Sequence, residues 1–301
     1  MIKKKKNLII ILIIFVLEIF ILLNPNVLIT YSKDALSLFT NKLFISLFPF
    51  FILNKILIDY NLPYYISKLK SNSITSSIVI LSLLSGMPSN AEYIKDYLDS
   101  KIISLEEAKK LLIVTYFPSP VFVITVVGYL GFNSIFIGSI LLLIVYLSNF
   151  LLWIFIRNKK KLKNNNSYIK TNVNFMISFK KAIISSLNSL MIILGNIIIF
   201  SILIGLLNKY FSLNIYLESL LTSLLELSNG IKKISAINTN FNIKFSLCLF
   251  ALIFSGFSIH SQVSSILSKY NINFFKIILY RLIAAVFISC FSYMILCFLN
   301  H

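Results

Sequence analysis

The sequence predicts an all-α polytopic membrane protein of two repeat-like halves, each with a re-entrant helical hairpin. Three observations predict it. Hydrophobic residues fill 58% of the 301 positions and charged residues only 13%, against about a quarter charged in a soluble domain. Mean hydropathy is +0.89, and apolar runs too long for ordinary core helices recur from end to end. Two shorter apolar runs each stop at a Ser-Gly pair, Ser85-Gly86 and Ser255-Gly256. These features exclude water-soluble catalytic folds. They also exclude disulfide-stapled secreted scaffolds, because Cys248, Cys290 and Cys297 sit in apolar runs without metal-ligand or redox spacing.

The elements follow in chain order. Lys3 to Lys6 precede an apolar run, Leu8 to Leu23, broken only by Glu18. It is similar to a signal peptide, but Asn24-Pro25-Asn26 follows with no small-residue cleavage site. The expectation is a retained first helix with a cytoplasmic N-terminus, its Glu18 paired with a neighbouring helix or marking a cavity edge. Ala35 to Leu53 forms the second helix, kinked or ended near Pro49, and returns to the basic Lys55, Lys68 and Lys70. Ile74 to Leu84 is too short to cross, since a crossing needs about 20 residues. A polar stretch follows, with Glu92, Asp96, Asp99, Glu106 and Glu107 interleaved with lysines at helical spacing. Leu111 to Leu130 is long enough to span but contains Phe117-Pro118-Ser119-Pro120, which must break its hydrogen-bond ladder. Phe132 to Ile156 completes an N-terminal membrane half, residues 1–156, with the first hairpin.

Residues 157–181 read as a basic cytoplasmic linker containing Asn164-Asn165-Asn166. The C-terminal half, 182–301, repeats the rhythm. Ala182 to Leu207 spans, and Leu213 to Leu227 is short and carries Glu218 and Glu226. Ile243 to Phe254 is another short apolar run, a polar helix follows, and Phe274 to Leu299 is the last span. Net charge is +18, from 28 Lys and Arg against 10 Asp and Glu. The basic residues cluster between apolar runs, as the positive-inside rule requires, so nucleic acid is not read as a partner. The abundance of Ile, Asn and Lys resembles the product of an AT-rich genome. The lipid bilayer and a small-molecule solute are the expected partners.

An offset of 170 residues sets Ser85 on Ser255, Gly86 on Gly256, Asn90 on His260 and Glu92 on Gln262. In both copies a short apolar run ends at Ser-Gly, and a polar helix, a turn and a longer apolar helix follow. Paired, interrupted hydrophobic segments are the best sequence pointer to a transporter's midplane site. A hairpin of half-length helices leaves orphan N–H and carbonyl groups at its tip. In lipid these must be buried in protein or line a cavity. Half-helix N-termini attract anionic or polar groups. The candidate site therefore takes Ser85, Gly86, Ser89 and Asn90 from one motif and Gly256, His260 and Gln262 from the other, with Ser119, Glu226 and Asn229 nearby. Helix capping and packing are the competing reading of these residues.

At these positions the chain resembles the YlbJ-type sporulation integral membrane proteins of the nucleoside-recognition (Gate) domain superfamily. The resemblance rests on Leu84-Ser85-Gly86-Met87-Pro88-Ser89-Asn90-Ala91, Ser104-Leu105-Glu106-Glu107-Ala108 with Leu111-Leu112, and Pro120-Val121-Phe122 with Gly128. It continues through Glu226-Leu227-Ser228-Asn229-Gly230 and Gly256-Phe257-Ser258-Ile259-His260-Ser261-Gln262 with Arg281. The chain departs from the pattern after Pro88-Ser89, where the family has Gly. It departs again at Tyr116 to Pro120, where the family has Asn-x-Gly-Pro. The resemblance implies passage of dipicolinic acid into the developing spore, a place in the outer forespore membrane, and sporulation membrane proteins or a second copy as partners. It also implies kinship with concentrative nucleoside transporters.

Three charged or titratable residues stand out in apolar context, where a charge at a helix centre costs about 2.5–3.5 kcal/mol on insertion scales. Glu226 fits a substrate or coupling-ion site, or an ion pair with Lys232 or Lys233. His260 fits a hydrogen bond to a solute carboxylate, or plain packing. Arg281 fits a bidentate grip on a carboxylate, or snorkelling to the interface. No Walker motif, G-x-S-x-G, H-E-x-x-H or G-x-G-x-x-G occurs, so neither enzyme, metal nor cofactor is expected. The functional expectation is a transporter for a small polar, anionic aromatic solute. The alternatives are an ion-coupled nucleoside-type transporter and a non-transporting sporulation scaffold.

Overall fold

The computed structural model describes residues 2–60, 62, 65, 74–156 and 174–299, and among them every regular element is helical. Lys68, Lys70, His301 and residues 157–173, most of the expected linker, lie outside the described residues. The remainder of that linker is helical: the span expected from Ala182 begins at Phe175, where Asn174 caps it by accepting from the Met176 N–H at 2.9 Å.

Helix α1 (Ile2–Leu22) leaves Leu8 to Phe15 exposed as an unbroken apolar stretch, the surface expected of a helix in lipid. Glu18 is exposed on the same helix and makes no ion pair among the described residues. The chain turns at Asn24, which is buried. Its amide donates to Phe20 O at 2.7 Å and its oxygen accepts from Lys209 and Tyr210. Helix α2 (Pro25–Asp59) opens on proline, where the missing N–H costs nothing. It starts ten residues before the expected Ala35 and does not end at Pro49. A π-type stretch at Phe39–Phe44 precedes that proline, and packing against α8 (Phe175–Tyr210) supports the helix along its length.

The rest of the chain is one pattern run twice. A long span (α2) leads to a pair of short helices, α3 (Ile74–Ser85) and α4 (Ser89–Asp99). A broken span follows, α5 (Leu105–Val114) and α6 (Phe122–Phe132), and then a long span, α7 (Ile135–Ile156). The second run has α8, the short pair α9 (Ile215–Leu225) and α10 (Leu227–Ala236), the broken span α11 (Phe241–Phe254) and α12 (Gly256–Ile266), and α13 (Phe274–Leu299). Helices α9 and α10 pack closely on each other, as do α3 and α4.

This order corrects the pairing read from the sequence. Gly86, at the tip of the first short pair, corresponds to Glu226 at the tip of the second. The counterpart of Ser255-Gly256 is the extended Thr115–Ser119 segment. Helices α11 and α12 form one interrupted span, Phe241–Ile266. Sequence likeness at Ser-Gly marked two helix breaks of different kinds, because a left-handed turn is needed at both: φ is 75° at Gly86 and at Gly256, and 71° at Ser255.

Among the described residues, five helices have the length and apolar composition to cross a membrane: α2, α7, α8, the α11–α12 span and α13. The chain is an all-α polytopic membrane protein. Its interior holds two apolar clusters. The larger is built from α2, α6, α7, α8, α10, α11 and α13, and the smaller from α3, α4, α5, α12 and the start of α13.

Candidate functional site

All four helix breaks meet at the boundary between the two clusters. A cavity of about 60 Å³ lies there, lined by Met87 and Pro88 of the first hairpin tip and Pro118, Ser119 and Phe122 of the first broken span. The second hairpin tip adds Glu226, Leu227 and Ser228, and the second broken span adds Ser255, Ser258, Ile259 and Gln262. Leu43 and Leu47 of α2 and Ile193 and Ile197 of α8 close it with apolar surface. At this size it holds a few waters, well short of the ~300 Å³ typical of a small-molecule site.

The local chemistry explains why the breaks sit there. In the first broken span Pro118 and Pro120 cannot donate, and the backbone they free is satisfied group by group. Thr115 O accepts from the Asn90 amide at 3.0 Å, and Phe117 O accepts from Met87 N–H at 2.9 Å. Tyr116 O accepts from the Asn149 amide at 3.1 Å and from Arg281 at 3.3 Å. A Cβ on Gly86 would overlap the Ser119 backbone, so the tip meets the break with no room for a side chain. In the second half, a Cβ on Gly256 would stand 3.1 Å from Leu227 N, the matching contact between tip and broken span.

The helix N-termini at these breaks differ. Helix α10 is capped by Glu226, whose carboxylate accepts from Ser228 N–H at 3.0 Å and Asn229 N–H at 2.6 Å. Glu226 is buried and pairs with neither Lys232 nor Lys233. Lys233 is bonded to Glu218, and Lys232 lies 4.0 Å from Asp34. The ion-pair reading of Glu226 is therefore replaced by a cap. Helices α4 and α12 have no side-chain cap, and the residues before them, Pro88 and Ser255, are on the cavity wall. Their first turns carry no side-chain cap, although Ala91 N–H donates to Pro88 O at 3.0 Å, and open helix N-termini attract anionic or polar groups.

Of the residues singled out from the sequence, Ser119, Glu226 and Gln262 line the cavity. Gln262 is buried, and its amide oxygen has no hydrogen-bond partner. Ser85, Gly86, Ser89 and Gly256 shape the breaks from behind the wall. Asn90 braces the first break and leaves its own side-chain oxygen unpartnered, while the Asn229 amide donates to Ser201 Oγ at 2.6 Å.

His260 and Arg281 are elsewhere. His260 Nε2 is 3.0 Å from Phe254 O, a group that can only accept, so this nitrogen carries the proton. Its Nδ1 then accepts from Tyr116 O–H at 2.9 Å. Arg281 is fully buried, so it does not snorkel. It donates to Asn149 Oδ1, Tyr116 O and Ile253 O, and its guanidinium lies 5.2 Å from the centre of the Tyr116 ring. No carboxylate faces it among the described residues. The two residues form an interlock that ties the carbonyl ends of one broken span to the other. Tyr116 and Asn149 were missed as members. A polar Asn149 inside the apolar Phe132 to Ile156 run was the available signal. Of the other wall serines, Ser255 and Ser258 fall within the Ser255–Gln262 stretch read as a tip, and Ser228 was missed.

The chain is 25% identical, over 307 aligned positions, to the sporulation integral membrane protein YlbJ of Bacillus subtilis (strain 168). The alignment covers 86% of this chain and 75% of that relative. The chain is similar to that protein over most of its length. No family model matches it, and no solved structure does.

Proposed function

We propose that this protein is a multi-pass transporter that carries a small polar solute through the cavity where its four helix breaks meet. One observation carries the reading: two hairpin tips and two broken spans, from both halves of the chain, line a single cavity. Interrupted helices at membrane depth are tolerated where they are buried in protein or line such a space. The hairpins are re-entrant in this reading. The relative's name supports a role in sporulation.

The solute is anionic and aromatic, with dipicolinate as the candidate, and the outer forespore membrane is the site of action. The two uncapped N-termini and the serine hydroxyls supply donors for carboxylates. The cavity must widen to admit such a molecule, so alternating movement of the hairpins around the fixed spans belongs to the mechanism. A second reading, a nucleoside-type solute coupled to a cation, is favoured by Glu226 and by the unpaired Gln262 oxygen, an acceptor that suits a donor-bearing solute.

Uptake into proteoliposomes separates the readings. Accumulation of labelled dipicolinate is the expected result. Accumulation of nucleosides alone would transfer the site to the second reading. If neither moves, while loss of the 157–181 segment abolishes sporulation, the protein is a scaffold.

A further inference from the structure

A second, larger space adjoins the first. A half-open pocket of about 270 Å³ is bordered by Leu38 and Lys42 of α2, Val126 and Leu130 of α6, and Ser228, Ile231, Lys232, Ser235 and Ala236 of α10. The two spaces share Ser228, and they follow the same three elements: Leu43 and Leu47, Phe122 and Ser228 line the inner one, and Leu38, Val126 and Ile231 the outer. The two spaces therefore adjoin at Ser228. The outer one is close to the ~300 Å³ at which small-molecule sites begin.

Their charges are opposite. The inner wall carries one charged side chain, Glu226. The outer wall carries two, Lys42 and Lys232. Lys42 is half-buried and has no ion pair among the described residues. Lys232 has only Asp34, at 4.0 Å, with both side chains more than half exposed, an arrangement worth little. A third lysine, Lys244, donates to Ser235 O at 2.6 Å on the chamber's rim. The acids nearby are Asp34 and Glu218, and Glu218 is taken by Lys233. Two loosely held ammonium groups on one pocket wall attract anions there.

We propose that this outer chamber is a carboxylate-selecting antechamber, in which Lys42 and Lys232 hold the acidic groups of a small dicarboxylate before it passes Ser228 into the inner cavity. This deepens the transport reading and rests on it. It assigns selection for charge to the lysines and leaves the inner site to recognise shape and polarity.

The test uses the full-length chain in liposomes and in detergent, with wild type, Lys42→Gln/Lys232→Gln, and Lys42→Arg/Lys232→Arg as a charge-preserving control. In uptake, the glutamine pair is expected to raise KM for dipicolinate about tenfold with kcat within about twofold, as loss of an encounter site requires. The arginine pair restores KM. In detergent, dipicolinate is expected to raise the Tm of wild type and of the arginine pair more than monoanionic picolinate does. The glutamine pair loses that preference. Wild-type uptake with an unchanged KM in the glutamine pair would overturn the antechamber and leave the transport reading standing. Wild type that moves no solute overturns the transport reading, and the Tm arm then decides whether the dicarboxylate site exists. If the Tm arm shows no charge preference, the lysines do no more than reach for the interface.

Discussion

The cavity and the interlock lie side by side and use their polar residues in opposite ways. The cavity is lined by Ser119, Ser228, Ser255, Ser258, Gln262 and Glu226, and it keeps an amide oxygen without a partner and two helix N-termini without side-chain caps. The interlock is made of Tyr116, Asn149, His260 and Arg281, and only one of its side-chain groups, Arg281 Nε, lacks a partner. The stronger the donor, the more completely it is consumed by the fold. A guanidinium in an apolar interior must be surrounded by acceptors, and the broken spans supply them as the carbonyls of Tyr116 and Ile253. A serine tolerates being left half-satisfied, and it can remain on a wall that water or a solute visits.

The largest expected effect falls on the interlock. Arg281→Met leaves Ile253 O and Asn149 Oδ1 without their donor, while Tyr116 O keeps only the Asn149 amide. Each buried acceptor left unpaired costs about 1–3 kcal/mol, and the emptied guanidinium site adds lost packing. The variant should lose thermal stability in detergent and accumulate poorly in membranes. An Arg281→Met protein with wild-type Tm and impaired uptake would move Arg281 from the interlock to the solute path. His260→Phe is next. It keeps the ring and leaves Tyr116 O–H and Phe254 O unpaired, at about 1–3 kcal/mol for each buried group. The Tm should fall for every solute condition alike, with no change in solute preference. A lowered uptake at unchanged Tm would break the comparison.

These two residues also show what was legible in the sequence. Length, composition and the apolar runs gave the helices and the broken spans, because hydrophobic periodicity and prolines act locally. Sequence also picked out His260 and Arg281, since a charge or imidazole in an apolar run needs a reason. What it could not supply was the direction each side chain takes. Arg281 is separated from Tyr116 and Ile253 by whole helices, and whether it faces carbonyls or a cavity depends on how those helices cross. The Ser-Gly likeness misled for a related reason. A left-handed backbone turn ends the first arm of a hairpin at Gly86 and interrupts a span at Gly256, and the two sites read alike in one dimension.

Glu226 belongs to both regions, and its variants sharpen the boundary between them. Glu226→Ala removes a cap that satisfies two N–H groups, a loss of about 1–2 kcal/mol in stability. Glu226→Gln keeps one acceptor for that role and removes the charge. A glutamine variant with near-normal Tm and no uptake would show that the carboxylate serves the solute or a coupled cation. A glutamine variant indistinguishable from wild type in both would make Glu226 a cap alone.

The smallest effect on stability is expected at Gln262, where the two regions should separate most cleanly. Its amide makes one long bond, 3.4 Å to Ser258 Oγ, and its oxygen makes none. Replacing a partly unsatisfied buried amide with an apolar side chain of similar volume is close to neutral, so Gln262→Leu should hold Tm within about 0.5 kcal/mol of stability. Uptake should suffer far more, because the same amide is one of the few polar groups the inner cavity offers a solute. The contrast with His260, two residues earlier on the same helix, is the point of the experiment. His260→Phe should lower Tm without altering which solutes are carried, and Gln262→Leu should alter solute choice without lowering Tm. If both variants instead lose stability and uptake in proportion, cavity and interlock are one structural unit, and the break-lined space is packing and not a path.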